Sequence, residues 1–324
     1  MKTLFAAIAL TAVLVADMAA AQAQTYPTRA VTIIVPFAAG GPADITGRIV
    51  ADQYSRALGQ QFIVENVAGA GGTTGTLRAA RATPDGYTLA LGHMGTHAAA
   101  VALYPNLGYK PDEDFAPIGL TSEQPVVLAV RKDLPANSLQ EFATYARANE
   151  AKLNMAHAGI GSVSHVACLM LNTLIGVKVS MVPFTGTGPA INAMLGGQVD
   201  YLCDPILGPL PHVQAGTIKA LAIATHKRNA MLPDVPTAAE GGLPKFEASP
   251  FYAMFAPKGT PQPIIDRLAD ALDRGLGDDV ARKRLVDLGA DVPEPDRRGP
   301  RPLAALVKSE IARLTPILLA ATAR

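Results

Sequence analysis

Residues 35–43 read VPFAAGGPA, and residues 182–190 read VPFTGTGPA. Six of the nine positions are identical, and the two copies lie 147 residues apart. Each copy follows an apolar run rich in β-branched residues, 31–34 before the first copy and 177–181 before the second. Such runs favour strands, and a glycine-containing turn followed by proline is typical of a helix start. The sequence therefore predicts two strand-to-helix turns of the same kind.

Similar strand-like runs alternate with amphipathic helical segments along most of the chain. Strands are predicted at residues 31–35, 61–65, 88–91, 126–130, 179–182, 199–203 and 220–224, and helices at 45–58, 139–149, 163–174, 189–195, 263–276, 279–288 and 301–319. This alternation predicts an α/β fold in which mainly parallel sheets are flanked by helices. A chain of 324 residues exceeds the usual size of one hydrophobic core, so two domains are expected.

Two apolar runs bounded by proline, residues 124–130 and 249–257, bracket the second copy of the repeat. If the chain crosses between domains once and returns once, residues 24–124 and 251–324 form a discontinuous first domain. Residues 125–250 then form a second domain inserted into it. Paired crossing strands near residues 125–130 and 250–256 would act as a hinge, which suits a ligand cleft between the domains.

The N-terminus has the pattern of a secretory signal peptide. Lys2 precedes an apolar stretch over residues 4–16, and Ala21-Gln22-Ala23 provides a small-x-small cleavage site. The alternative, a membrane anchor, is less favoured because the apolar stretch is short and Asp17 interrupts it. We expect cleavage after Ala23 and export of a soluble mature protein.

Composition argues against several classes of partner. The formal net charge is +1, only 17% of residues are charged, and Trp is absent, so nucleic acid and anionic membrane surfaces are not expected partners. In an oxidising compartment, Cys168 and Cys203 could form a disulfide. Both also fit as small buried hydrophobic residues, and we favour unpaired cysteines because the sequence does not place their Cα atoms within bridging distance.

The loop after the first strand is the first candidate binding element. Ligands of parallel α/β sheets bind outside the carboxyl ends of the strands. Gly40 and Gly41 allow the backbone to come close to a ligand, Pro42 suits a first helical turn, and Asp44 could cap the helix. The exposed N–H groups of a helix start favour an anion. In the second copy, Thr185 and Thr187 replace Ala38 and Gly40, so this copy is the better candidate for recognising the rest of the ligand.

Other chemistries fit the sequence poorly. The glycine-rich loop at residues 65–75 has Thr74 where a dinucleotide fingerprint needs its last glycine, and no phosphate-loop motif occurs. Ser164, His165 and Asp204 have the residue types of a hydrolytic triad, but the sequence lacks the nucleophile-elbow motif that would support one. His93 and His97 lack a third metal ligand nearby. We therefore expect no enzyme, cofactor or metal, but a cleft of glycine turns, helix starts, hydroxyl groups and aromatic side chains that binds a small carboxylate.

The chain resembles the Bug family, the periplasmic substrate-binding proteins of tripartite tricarboxylate transporters. The resemblance covers essentially the whole mature chain in the family's order. Its stretches are Tyr26-Pro27, Val35-Pro36-Phe37, Gly40-Gly41 with Asp44, Glu65-Asn66, Gly69-Ala70-Gly71-Gly72, Pro84-Asp85-Gly86-Tyr87-Thr88-Leu89, Asp114-Phe115-Ala116-Pro117-Ile118, Leu195-Gly196-Gly197-Gln198-Val199-Asp200 and Leu232-Pro233-Asp234-Val235-Pro236-Thr237.

The resemblance implies a two-domain periplasmic-binding-protein fold of type II, a Venus flytrap that closes on an organic acid and delivers it to a membrane permease. It implies a periplasmic protein whose signal peptide is removed, and we expect a monomer. In the family, the loops matching residues 37–44 and 69–73 hold one carboxylate, and the second domain meets the other end of the ligand. The predicted ligand-binding residues are Phe37, Ala38, Gly41, Pro42, Ala43, Asp44, Gly69, Ala70, Gly71, Gly72, Thr73, His93, Thr96, Ser162, Ser164, His165, Thr185, Asp204 and Phe251.

Two departures from the family pattern affect the identity of the ligand. Ser249-Pro250-Phe251 stands where the family commonly has Ser-Trp-Phe, and Pro205 follows Asp204 where Asn is frequent. A di- or tricarboxylate or an aromatic acid fits the resemblance. Two alternatives stay open: a periplasmic receptor that signals to a membrane kinase, and an exported enzyme on the same scaffold.

Overall fold

The computed structural model describes residues 26–322, which contain ten strands and ten α-helices. In chain order these are β1 (Val31–Val35), α1 (Pro42–Leu58), β2 (Phe62–Asn66), α2 (Thr73–Ala80), β3 (Thr88–His93), α3 (Ala100–Leu103), β4 (Phe115–Glu123), β5 (Val126–Arg131), α4 (Leu139–Ala148), β6 (Asn154–His157), α5 (Val163–Ile175), β7 (Ser180–Pro183), α6 (Thr187–Leu195), β8 (Tyr201–Pro205), α7 (Leu210–Gln214), β9 (Ile218–Ile223), β10 (Phe251–Pro257), α8 (Gln262–Gly277), α9 (Asp279–Val286) and α10 (Pro300–Thr322). Short 3₁₀ or π turns occur at Ala70–Gly72, Gly95–Ala99, Glu150–Lys152 and Pro295–Arg297.

The strands form two five-stranded sheets with the same arrangement. The first sheet has the order β2-β1-β3-β10-β4, and the second has the order β7-β6-β8-β5-β9. In each sheet the fourth strand, β10 or β5, is antiparallel to both neighbours, so the other four strands share one direction. The predicted α/β class with mainly parallel sheets flanked by helices is confirmed.

The antiparallel strand in each sheet is the one that enters from the other sheet. Strand β4 leaves the first sheet, and β5 begins in the second sheet after Gln124 and Pro125; the return runs from β9 to β10. The two connections lie side by side, because Gln124 N donates to the Pro250 carbonyl at 3.1 Å and Val126 N donates to the Ala248 carbonyl at 3.0 Å. The chain therefore passes between the sheets through two adjacent, hydrogen-bonded segments.

The C-terminal helix α10 joins the core on a narrow apolar stripe. Its buried residues Leu303, Val307, Leu314 and Leu318 recur at helical spacing, so they lie on one face. This face packs on β4 and on α3, and one end of the helix also reaches α5. Within residues 26–322, no helix combines the length and apolar composition that crossing a membrane requires.

The two cysteines are paired, so the expectation of unpaired cysteines is wrong. Cys168 on α5 and Cys203 on β8 form a disulfide with their Cα atoms 5.2 Å apart. Helix α5 packs directly on β8, and this contact brings together residues that are 35 positions apart in the chain. The disulfide therefore fastens a helix of the second sheet to the central strand of that sheet.

Reduction of this disulfide should lower the free energy of unfolding by about 4 kcal/mol. The cross-link closes a loop of 35 residues, and without it the unfolded chain gains conformational entropy. Guanidinium unfolding with and without dithiothreitol measures the difference. The double variant Cys168→Ala/Cys203→Ala serves as the control, since its unfolding should not respond to reductant. Equal stability of the oxidised and reduced wild-type protein would contradict the prediction.

Candidate ligand-binding site

A small cavity of about 20 Å³ lies between the two sheets, at the carboxyl ends of their strands. The side of the first sheet contributes residues from the β1–α1 loop, from the end of β3 and from β10, and the second sheet contributes the starts of α5 and α6 and the end of β8. The lining residues are Phe37, Gly41, Pro42, Ala43, His93, Ala158, Ser162, Val163, Ser164, Thr187, Asp204, Pro205 and Tyr252. Eight of them are among the residues that the sequence predicted for the site.

The two copies of the nine-residue repeat face each other across this cavity. Ala38 N in the first copy donates a hydrogen bond to the Thr185 carbonyl in the second at 3.1 Å. A Cβ atom at Gly41 would lie 3.2 Å from the Cβ of Thr187, and one at Gly186 would lie 3.1 Å from the Cβ of Ala38. The glycines in both copies therefore allow a close backbone approach between the two sheets.

Three helices begin at the cavity. Pro42, Val163 and Thr187 are the first residues of α1, α5 and α6, and all three line it. The N-cap residues of α1 and α6 are Gly41 and Gly186, which offer no side-chain acceptor to the first-turn N–H groups. Because helix N-termini carry partial positive charge, their convergence creates a binding environment for an anion.

Serine and threonine hydroxyl groups add to this polar wall. Ser162 caps α5 by accepting from the His165 N–H at 3.2 Å, and its hydroxyl lies 3.2 Å from that of Ser164. Ser164 Oγ also accepts from Ala158 N at 2.9 Å, which leaves its proton available to another acceptor. No Lys or Arg is among the residues that line the cavity. An anion there would be held by backbone dipoles and hydroxyl groups.

The opposite wall is aromatic. Phe37 stacks on His93 with ring centroids 5.0 Å apart, and Tyr252 contacts the edge of His93 at 5.3 Å. Burial lowers the pKa of His93 to about 3, so the ring is neutral. Its Nδ1 accepts a hydrogen bond from Gly95 N at 2.9 Å, which assigns the single ring proton to Nε2. His93 can therefore act as a neutral hydrogen-bond donor.

Asp204 is the one acidic side chain on the cavity wall. It is 1% exposed, and Thr187 Oγ1 donates to its Oδ1 at 3.0 Å. Its Oδ2 has no hydrogen-bond partner among the described residues. Burial raises the pKa of Asp204 to about 7, against the smaller opposing effect of the Thr187 and Ser164 hydroxyl groups.

Asp44 is also buried, but it organises the first loop instead of facing the cavity. Gly40 N and Arg48 Nε each donate to its Oδ2 at 3.0 Å, and Asn66 Nδ2 donates to its Oδ1 at 3.0 Å. Burial would raise the pKa of this carboxyl, yet these hydrogen bonds outweigh it and hold the pKa below its usual value. Helix α1 begins at Pro42 with Gly41 as N-cap, so Asp44 lies in the first turn and binds back to Gly40.

The remaining predicted site residues do not line the cavity. Residues 69–73 form a turn that contacts the loop before α5, where Tyr104 Oη lies 2.7 Å from the Ala70 carbonyl oxygen and 2.8 Å from that of Ile160. Thr96 hydrogen-bonds with its neighbours His93 and His97. His165 packs on His157, with ring centroids 4.9 Å apart. Ala38 and Thr185 hydrogen-bond to each other through the backbone, and Phe251 is buried in the core.

Sequence reasoning did not assign Ala158, Val163 or Tyr252 to the site. Tyr252 reaches the cavity because β10 pairs antiparallel with β3, where Tyr252 lies opposite His93. Its position in the predicted return crossing was the only signal. Ala158 and Val163 flank the glycine and serine residues that were selected, so proximity in the chain could have indicated them.

Comparison with known proteins decides the family. Residues 46–322 match the model of the tripartite tricarboxylate transporter family receptor. The chain belongs to this receptor family. Its members are periplasmic solute-binding proteins, and the fold is the two-domain periplasmic-binding-protein fold.

Solved structures of similar proteins support the assignment to the receptor family. MatC from Rhodopseudomonas palustris, with bound malate, is 49% identical, and the match has a TM-score of 0.88 and covers 90% of this chain and 100% of MatC. The periplasmic binding protein BugD is 41% identical with a TM-score of 0.88, and 92% of this chain and 99% of BugD are covered. Rpa4515 of R. palustris, solved with adipate, is 33% identical with a TM-score of 0.88, and the match covers 92% of this chain and 98% of Rpa4515.

Proposed function

We propose that this receptor captures a small organic carboxylate in the cavity between its two sheets. The convergence of three helix N-termini on a cavity with no lysine or arginine in its wall carries the proposal. The backbone N–H groups and hydroxyl groups would hold one carboxylate, and the two sides of the cavity would move apart to admit the ligand. The malate bound to MatC and the adipate bound to Rpa4515 agree with a dicarboxylate ligand.

We propose further that residues 24–124 with 251–324, and residues 125–250, are two domains that close on the ligand. The support is the sheet membership of the strands and the adjacent connections at residues 124–126 and 248–250. Closure about these segments would bring the two copies of the repeat together, because their contacts join one domain to the other. We also propose a receptor without enzymatic activity, and the match to a family of transporter receptors supports this.

The proposed biological partner is a membrane permease of the tripartite tricarboxylate type. We propose that the receptor is a monomer in the periplasm and delivers its ligand to this permease. Signal-peptide cleavage after Ala23 lies outside the described residues and is proposed from the sequence pattern. Mass spectrometry of the exported protein tests the cleavage site. Crosslinking of the ligand-loaded receptor in membranes tests whether its partner is a permease. Recovery of a sensor kinase instead would contradict this proposal.

Thermal unfolding of the mature protein against organic acids tests carboxylate binding. Malate, succinate, adipate, citrate and benzoate are suitable probes, each matched to its methyl ester, which has nearly the same shape and no negative charge. A ligand at 100 times its Kd should stabilise the folded state by about 2.7 kcal/mol, and the ester should have no effect. If no carboxylate raises the melting temperature, or if the esters stabilise equally, the proposal fails.

A further inference from the structure

We propose that Asp204 binds the ligand as a protonated carboxylic acid, so that carboxylate capture takes up one proton from solution. This inference rests on the proposed function and deepens it, because it specifies the group that receives one carboxylate of the ligand. In a short strong contact, the Oδ2–H of Asp204 would donate to a carboxylate oxygen of the ligand.

The hydrogen bonds of Asp204 favour a proton on one particular oxygen. Oδ1 accepts from Thr187 Oγ1 at 3.0 Å, whereas Oδ2 makes no hydrogen bond of good geometry with the described residues, and the nearby Ser164 hydroxyl group lowers the pKa of this carboxyl only in part. Gly208 lies close to this oxygen, since a Cβ atom there would be 2.8 Å from Oδ2. The glycine leaves space beside Oδ2 without supplying a hydrogen bond. Asp204 lines the cavity, so a proton on its carboxyl group would be a donor to a ligand there.

Electrostatics makes the ionised form of Asp204 incompatible with an anionic ligand. An ionised carboxylate at 1% exposure, beside a second carboxylate, would place two like charges in a cavity whose wall contains no cation. The helix N-termini can compensate one negative charge, but each contributes only a partial positive charge. Ligand binding should therefore select the protonated form of Asp204, as in pairs of carboxyl groups that share one proton.

No other group around the cavity titrates in the same pH range. His93 on β3 and His165 on α5 have pKa values lowered by burial to about 3 and about 4, and the pKa of His157 on β6 is also lowered by burial. The pKa of Tyr252 on β10 lies well above 10. On β5, Arg131 is ion-paired with Asp200 and Asp133. Helix α6 contains no titratable side chain. Burial raises the pKa of Asp204 to about 7, so among these described groups around the cavity Asp204 is the one that changes charge near neutral pH.

Isothermal titration calorimetry in buffers of different ionisation enthalpy measures the proton uptake directly. The probes are succinate, glutarate and adipate, which carry no hydroxyl or ammonium group and so cannot donate to an ionised Asp204. At pH 8 we expect about one proton taken up per ligand bound, and this uptake should fall as the pH is lowered towards 6.5, where free Asp204 is largely protonated and the ligand is still mostly ionised. Between pH 7 and 9 the Kd should rise about tenfold per pH unit.

The variant Asp204→Asn tests whether Asp204 is the group that takes up the proton. Its amide cannot titrate, so the proton uptake should disappear and the Kd should no longer depend on pH in this range. Asp291→Asn is the matched control, because Asp291 also has a pKa raised by burial but is not part of the cavity wall; it should keep the wild-type proton uptake. If Asp204→Asn binds too weakly for calorimetry, carbon-13 NMR titration of the wild-type carboxyl groups should show the pKa of Asp204 rising when succinate, glutarate or adipate binds.

The outcomes separate this inference from the proposed function. Binding of a dicarboxylate with no proton uptake and a constant Kd from pH 6 to 9 would overturn the role of Asp204 and leave the receptor function intact. Proton uptake that persists in Asp204→Asn would overturn it as well. The absence of carboxylate binding at every pH would overturn the proposed function itself.

Discussion

Gly71→Ala should prevent closure of the receptor and weaken ligand binding roughly 100-fold, because overpacking by a methyl group costs about 1–3 kcal/mol. Gly71 has φ +62° and lies in the turn that meets the loop before α5. A Cβ atom at this position would overlap the carbonyl oxygen of Ile160 and would lie 2.9 Å from Tyr104 Oη. The Ile160 carbonyl belongs to the closed arrangement, in which its loop approaches from the second sheet, whereas Tyr104 lies in the same proposed domain as Gly71.

Small-angle scattering and calorimetry on the same samples measure this effect. Saturating dicarboxylate should reduce the radius of gyration of the wild-type protein, whereas Gly71→Ala should keep the larger radius at the same ligand concentration. Gly197→Ala is the matched control for backbone strain, since Gly197 has φ +71° and no atom within 4 Å of its added Cβ. Both alanines pay a similar left-handed backbone cost of about 1–2 kcal/mol. Wild-type affinity and closure in Gly71→Ala would contradict the proposed contact between domains.

The sequence predicted the sheets well where β-branched runs are dense, and poorly elsewhere. Strand β4 contains Pro117 and Gly119, and β6 consists of Asn154–His157 with no β-branched residue, so neither has a strong strand signal. Both form because neighbouring strands pair with them: β4 with β10, and β6 with β7 and β8. Tertiary pairing thus outweighs local propensity at these positions.

Each copy of the repeat forms the predicted strand-to-helix turn, but the two copies follow strands at different positions in their sheets. The first copy follows β1, the second strand in its sheet order, whereas the second copy follows the edge strand β7. The strand that corresponds to β1 is β6, which is followed by the Gly159–Ser162 turn and α5. The copies resemble each other because both form close-approach turns at helix starts, and these turns contact one another. Their shared sequence therefore reflects a shared local geometry.

The cysteine pairing and the role of Asp204 required three-dimensional information. Cys168 and Cys203 are joined only because α5 packs on β8, a contact that residue spacing does not reveal. Likewise, an aspartate at a strand end has the same sequence signature whether it is solvated or buried. Asp44 lies in the first turn of α1 and Asp204 near the end of β8, yet hydrogen bonds hold the pKa of Asp44 low and burial raises that of Asp204.

This contrast yields the second large effect: the same substitution at the two buried aspartates should change stability in opposite directions. The folded-state pKa of Asp204 is about 7, above the ordinary value of 3.8, so the folded protein binds more protons than the unfolded chain between these pH values. Stability from this group is therefore full below about pH 4 and is lost as pH rises to about 7. Asp204→Asn removes this loss and should stabilise the ligand-free protein above pH 7 by up to about 4 kcal/mol.

Asp44→Asn should do the reverse. The pKa of Asp44 is lowered in the folded state, so its contribution is present above the ordinary pKa and is lost as pH falls. Replacing its carboxylate weakens charged hydrogen bonds from Gly40 N, Arg48 and Asn66, and should destabilise the protein by about 2 kcal/mol at pH 7. Urea unfolding of both variants and the wild type at pH 4, 6 and 8 measures these differences. A stability gain for Asp204→Asn that is equal at pH 4 and pH 8 would show that the carboxyl group does not titrate between them, and would contradict the charge state assigned to the cavity.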